Sequence, residues 1–81
     1  MQEIEKLIEI KKRRGLSYEA IAQKIGVSFQ SILRWMTKGD KPSVLALTQI
    51  RRFIKEDEAE RKREIALYSL YMHLYKQTKG D

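Results

Sequence analysis

The side chains able to do chemistry in this chain are mostly cationic. Of its 81 residues, 17 are Lys or Arg against 11 Asp or Glu, giving a net charge of +6 at pH 7. The excess is uneven: residues 1–55 hold 12 basic and 5 acidic residues, net +7, whereas residues 56–81 hold 5 and 6, net −1. A basic surface attracts a polyanion and gains from the counterions it releases, so the first two-thirds of the chain point to nucleic acid. The plainer use of the same cations is to keep helix surfaces hydrated. Other chemistries lack their residues. There is no Cys, and His73 is the single histidine, which leaves neither a thiolate nor a paired-imidazole metal site. No Gly-rich phosphate loop, paired acidic site or Ser/His/Asp set is apparent, so we expect neither an enzyme nor a cofactor.

Charged side chains act only where elements position them, and the length allows one small domain. At 81 residues a chain buries a little over half of the surface it exposes unfolded, so a partner subunit would help. Hydrophobic content of 42% with 35% charged residues describes a soluble globular domain. With no leader-like start and no 18-residue apolar run, the expectation is a cytoplasmic protein without a membrane partner.

The periodicity predicts an all-α fold. Residues 2–14 place Ile4, Leu7 and Ile8 on one face and finish in "KKRR", which suits the negative end of a helix dipole, with Gly15 as C-cap. Ser17 caps a second helix whose apolar side is Ala20, Ile21, Ala22 and Ile25, and Gly26 ends it. Ser28 caps a third helix from Phe29 to about Lys38. There Ile32, Trp35 and Met36 face inward while Phe29, Gln30, Ser31, Arg34 and Thr37 lie on or near the outer face. Trp35, at this spacing, reads as core rather than as a stacking platform. After the turn signals of "KGDKP", Ser43 caps a fourth helix with Val44, Leu47, Ile50 and Ile54 as its stripe.

Between Ser43 and Lys79 there is no Gly or Pro. Asp57 followed by Glu60 resembles an N-cap arrangement, so a break is expected near Glu56, with one continuous helix as the alternative. This divides the chain into residues 1–56 and a terminal helix, residues 57–81, packed on the same domain. Within it "IALYSLYMHLY" has nine apolar or aromatic residues of eleven, interrupted by Ser69 and His73 on one face. Alternation of Ala66, Tyr68, Leu70, Met72 and Leu74 also fits a strand, but the helix-forming run before it favours helix. Such a helix wants a second chain as well as its own domain, and Leu67, Leu70, Tyr71, Leu74 and Tyr75 are the expected dimer interface. His73 reads as a solvated residue on the polar stripe.

Residues 15–42, "GLSYEAIAQKIGVSFQSILRWMTKGDKP", resemble the helix-turn-helix of the Cro and phage-repressor (XRE-type) family. The resemblance rests on Leu16 and Ser17, on Ile21 and Ala22, on "GVS" at the turn, on Ile32 and Trp35, and on Pro42 beyond the loop. It covers roughly residues 2–55 and implies a four-helix Cro/phage-repressor-like bundle, to which the terminal dimerisation helix is added. Two positions depart from the family: Tyr18 stands where Gln is common, and Met36 where Glu is common. Physical reasons for the pattern stand beside it. Ala22 is small where helices cross closely, Gly26 permits the sharp turn, and Val27 and Ile32 pin the second motif helix onto the first.

The resemblance implies that Phe29, Gln30, Leu33 and Arg34 lie at or beside the base-reading positions of a helix in the major groove. Gln30 can bond adenine in bidentate fashion, Arg34 can bond guanine or a phosphate, and Phe29 or Leu33 can touch a thymine methyl. Burial of Phe29 against the second helix is the competing role. Phosphate contacts are expected from Ser17, Tyr18, Ser28, Thr37, Lys38 and Lys41. The expectation is a sequence-specific regulator of double-stranded DNA, a homodimeric repressor on a palindromic operator with no small-molecule ligand evident. The alternative is an antitoxin-like interaction protein whose terminal helix holds a different protein.

Overall fold

Local chemistry at Ser17, Gly26 and Ser28 sets the middle of the fold. In a computed structural model of the chain, which describes residues 2–79 and side chains from 2 to 75, the Ser17 hydroxyl accepts from the Ala20 N–H at 3.1 Å. It thereby caps α2 (Tyr18–Ile25). Gly26 adopts φ +88°, in the left-handed region where a side chain is strained, and its N–H closes the helix on the Ala22 carbonyl at 2.8 Å. Two residues later the Ser28 hydroxyl accepts from the Ser31 N–H at 3.2 Å and starts α3 (Phe29–Thr37). Upstream, α1 (Gln2–Arg14) ends on Gly15, also at positive φ, and the Leu16 N–H bonds the Lys11 carbonyl at 3.0 Å.

The core is built from one face of each element. Leu7 and Ile10 of α1, Ile21, Ala22 and Ile25 of α2, and Ile32 and Trp35 of α3 are buried, together with Ala46, Ile50, Phe53 and Ile54 of α4 (Val44–Lys79). Ile4, Leu16, Tyr18, Val27 and Met36 pack around them, half-buried. Ile10 therefore joins the expected face of α1. On α4 the stripe runs through Ala46 and Phe53, and Val44, expected within it, is 83% exposed. Val44 sits about 120° around the helix from Ile50, too far to share its face. Among the described residues there are four helices and no strand, so "IALYSLYMHLY" is helical.

The break expected near Glu56 does not occur. α4 is one helix of 36 residues, roughly 54 Å long, and it sets the 59 Å length of a molecule only 22 by 20 Å across. The signal read as an N-cap belongs to a tertiary contact. Asp57 is 3% exposed and pairs with Arg13, while Nε of Arg14 lies 3.3 Å from its other carboxylate oxygen; Arg14 also reaches Glu60. The basic end of α1 thus neutralises a carboxylate buried mid-helix, which frees the α4 backbone to continue its own hydrogen bonding. Two looser pairs bind the same helices, Lys6 to Glu58 at 3.8 Å and Arg51 to Glu3 at 3.1 Å.

Beyond Asp57 the helix leaves the bundle. From residue 58 to 75 every described side chain is exposed except Met72, which is half-buried. The terminal helix is therefore not packed on its own domain as expected: the unbroken α4 carries residues 65–75 past the end of α1. The outer ends of the two expected segments, residues 1, 80 and 81, lie outside the described residues.

Candidate nucleic-acid interface

α3 is short, strongly two-sided and held from behind. Ile32 is fully buried and Trp35 is 8% exposed, so the helix is anchored along one stripe. That leaves Gln30 and Arg34 exposed on the opposite side and Phe29 exposed on the flank, with Leu33 half-buried. Phe29 is 40% exposed, so it is not consumed by packing against α2. At its far end the Thr37 hydroxyl donates to the Leu33 carbonyl, and the helix closes as the Lys38 N–H donates to the Arg34 carbonyl at 3.1 Å.

Around this face the structure places the other expected contacts with different freedoms. Ser17 and Ser28 are exposed, but their hydroxyls already accept from backbone N–H groups as helix caps, and Ser28 also donates to the Ser31 hydroxyl at 2.8 Å. What they offer a passing anion is therefore mainly the positive end of a helix. Thr37, Lys38 and Lys41 are exposed. Tyr18 is half-buried, its ring packed on the core with Nζ of Lys11 4.6 Å above its centroid. The stacked ammonium takes up one of the cations of the "KKRR" stretch, and Asp57 and Glu60 take up two more. Those three cations are structural first, and the outward positive charge near α3 comes from Arg34, Lys38 and Lys41.

A cleft of about 450 Å³ lies beside α3 and brings together Ser28, Ser31, Arg34, Lys41, Ser43 and Gln49. Ser43 and Gln49 were not among the residues expected at the interface. The Ser43 hydroxyl accepts from the Ala46 N–H at 3.2 Å and caps α4, so a third helix amino end borders the same surface. Gln49 leans over the turn, its amide nitrogen 3.6 Å from where a side chain on Gly26 would begin. No local spacing announces Gln49, because its position depends on how α4 crosses the α2–α3 turn.

The combination is a capped helix, a left-handed Gly, and a second helix anchored by Ile32 and Trp35 with its polar face outward, closed off by buried Pro42. A helix-turn-helix family model matches residues 7–60, two-thirds of the chain. The chain belongs to the Cro/phage-repressor (XRE-type) helix-turn-helix family. The match begins within α1, takes in all of α2 and α3 and ends just past Asp57, so it stops where α4 begins to project. This helix-turn-helix protein is a DNA-binding regulator, and double-stranded DNA is its partner class. Compared with the curated proteins and with the solved structures, it shows no match. No described helix is long and apolar enough to cross a membrane.

The loose charged pairs on α1 and α4 lie away from α3. Glu3 has its carboxyl held below the usual carboxylate range, first by its own backbone N–H donating to it and then by the Arg51 guanidinium.

Proposed function

We propose that the protein is a sequence-specific repressor that binds a palindromic operator as a homodimer, with α3 in the major groove. The observation that carries this reading is the outer face of α3, where Phe29, Gln30 and Arg34 stand exposed while Ile32 and Trp35 hold the helix rigidly from behind. In this reading Gln30 bonds an adenine edge with its amide, Arg34 bonds guanine or the neighbouring phosphate, and Phe29 and Leu33 meet thymine methyls. The helix amino ends at Ser17 and Ser28, with Tyr18, Thr37, Lys38 and Lys41, fix the register on the phosphates. Residues 1–56 form the DNA-binding part and residues 57–81 the dimerisation part of one continuous structure. Two copies meet through Leu67, Leu70, Tyr71, Leu74 and Tyr75, all at least 46% exposed in the single chain. A symmetric pair sets its reading helices about 34 Å apart, one turn of DNA.

Selection of bound sequences from a random duplex pool tests the reading. The expected product is two inverted half-sites centred about one turn apart. Gln30→Ala should lose roughly 1–3 kcal/mol on that site and relax the preference at one base position. If random duplex binds as tightly as any selected sequence at 150 mM salt, the specific-repressor reading is wrong.

A further inference from the structure

The projecting half of α4 carries two apolar stripes rather than one. Leu67, Leu70 and Leu74 follow a spacing of three and then four residues, and Ile65, Tyr68, Met72 and Tyr75 follow a second run of three, four and three. At 100° per residue the two stripes are centred about 145° apart and together span about 220° of the helix circumference. Tyr71 lies between them, its ring stacked on that of Tyr75 at 6.3 Å. Ser69 and His73 mark the polar remainder. A two-stranded pairing covers one narrow seam, of the order of 100°. Pairing two copies through the leucine stripe therefore leaves Ile65, Tyr68 and Met72 of each copy in water, side by side, as a patch a soluble protein rarely tolerates.

We propose that the second stripe is a second self-association surface, and that four copies assemble through α4 into a bundle; this rests on the homodimer reading above. The occupant is another copy because the second stripe is symmetric about its own centre. Its spacing of three, four and three reads the same from either end, so on an antiparallel copy Ile65 comes opposite Tyr75 and Tyr68 opposite Met72. In a four-helix bundle each helix faces two neighbours, which is the coverage a 220° arc requires. Symmetry then fixes the directions. The leucine stripe joins parallel helices, which keeps two DNA-binding bundles at one end, related by a two-fold axis along the helices. A second two-fold parallel to the first would generate an open array, so the closed solution places the second axis across the helices. The Ile65–Tyr68–Met72 stripe therefore joins antiparallel helices and puts a pair of DNA-binding bundles at each end. Such a particle holds two operators at once.

Sedimentation equilibrium on the full chain at tens of micromolar reads the assembly directly. The expected mass is four times the 9.6 kDa of one chain. Tyr68→Glu combined with Met72→Gln should halve that mass while leaving helicity, measured by circular dichroism, and affinity for a single selected duplex within about twofold. A second readout is bridging: wild type bound to an immobilised selected duplex should capture a second, labelled copy of it, and the double variant should capture at least tenfold less. A wild-type mass of two chains overturns the second surface and leaves the homodimer standing. One chain overturns both, and so does a single chain that gains mass only with a different protein. A mass that climbs without limit as concentration rises overturns the closed four-chain arrangement.

Discussion

The two halves of α4 have the same backbone and opposite surroundings. Between its exposed first residues and Asp57 its apolar face, Ala46, Ile50, Phe53 and Ile54, is buried in the core. Beyond it, Ile65, Leu67, Tyr68, Leu70 and Tyr71 are each more than half exposed. Hydrophobic burial thus stabilises the first half within the chain, whereas the second half has that stabilisation available only through association. If the proposed assembly forms, folding and association are allotted to separate stretches of one helix, with a neutralised carboxylate at the border. Substitutions should therefore sort cleanly by side.

The sharpest contrast comes from Ile32 against the distal leucines. Ile32→Ala removes a fully buried side chain and should cost roughly 2–5 kcal/mol in chemical denaturation. Leu70→Lys with Leu74→Lys should leave the unfolding of the dilute monomer within about 0.5 kcal/mol, yet raise the dissociation constant of the assembly more than tenfold by sedimentation. If the distal pair destabilises the monomer as much as Ile32→Ala, the division between the halves is wrong.

The border itself comes next. Replacing both Arg13 and Arg14 with Ala leaves Asp57 buried without a counter-charge and should cost about 3 kcal/mol. Asp57→Ala should cost less, about 1 kcal/mol, because the side chains of Arg13 and Arg14 are 38% and 28% exposed and can rehydrate. Equal costs in the two variants would mean that the cations are as sequestered as the carboxylate. Of the same size as Asp57→Ala is Ser28→Ala, which removes the cap of α3 and should cost about 1 kcal/mol of stability in thermal unfolding. An unaltered midpoint would show that tertiary anchoring by Ile32 and Trp35 alone starts the helix.

The smallest effect expected is at Glu3. Its folded pKa is depressed, so its contribution is present above the ordinary carboxylate range and is lost as pH falls through the lowered value. Glu3→Gln should therefore lower stability slightly at neutral pH, change nothing in strong acid, and so flatten the acid side of the stability profile, as read by unfolding at stepped pH. A loss at neutral pH equal to that in acid would assign Glu3 a packing role instead.

What the sequence made legible was local. The caps at Ser17 and Ser28, the left-handed turn at Gly26 and the inward spacing of Ile32 and Trp35 each depend on neighbours within four residues, and the structure has them where the spacing puts them. The break near Glu56 failed for the opposite reason. Asp57 and Glu60 carry a capping pattern, but their partners Arg13 and Arg14 lie 44 and 46 residues away, and no periodicity links them. The same blindness hid Gln49 and Ser43 beside α3. Tyr18 is intermediate: its half-buried position follows from the α2 stripe, whereas the ammonium of Lys11 above its ring depends on how α1 returns across it.

The unbroken passage of α4 through residues 58–64 also makes the helix a phase ruler. One residue added there would advance the distal stripes by 1.5 Å and turn them by about 100° relative to α3, whereas seven would restore the bearing to within about 20°. In the proposed assembly, angular bookkeeping of this kind would tie DNA reading to association without any contact between them. The stretch "EAERKRE" would then be constrained in length far more tightly than in composition.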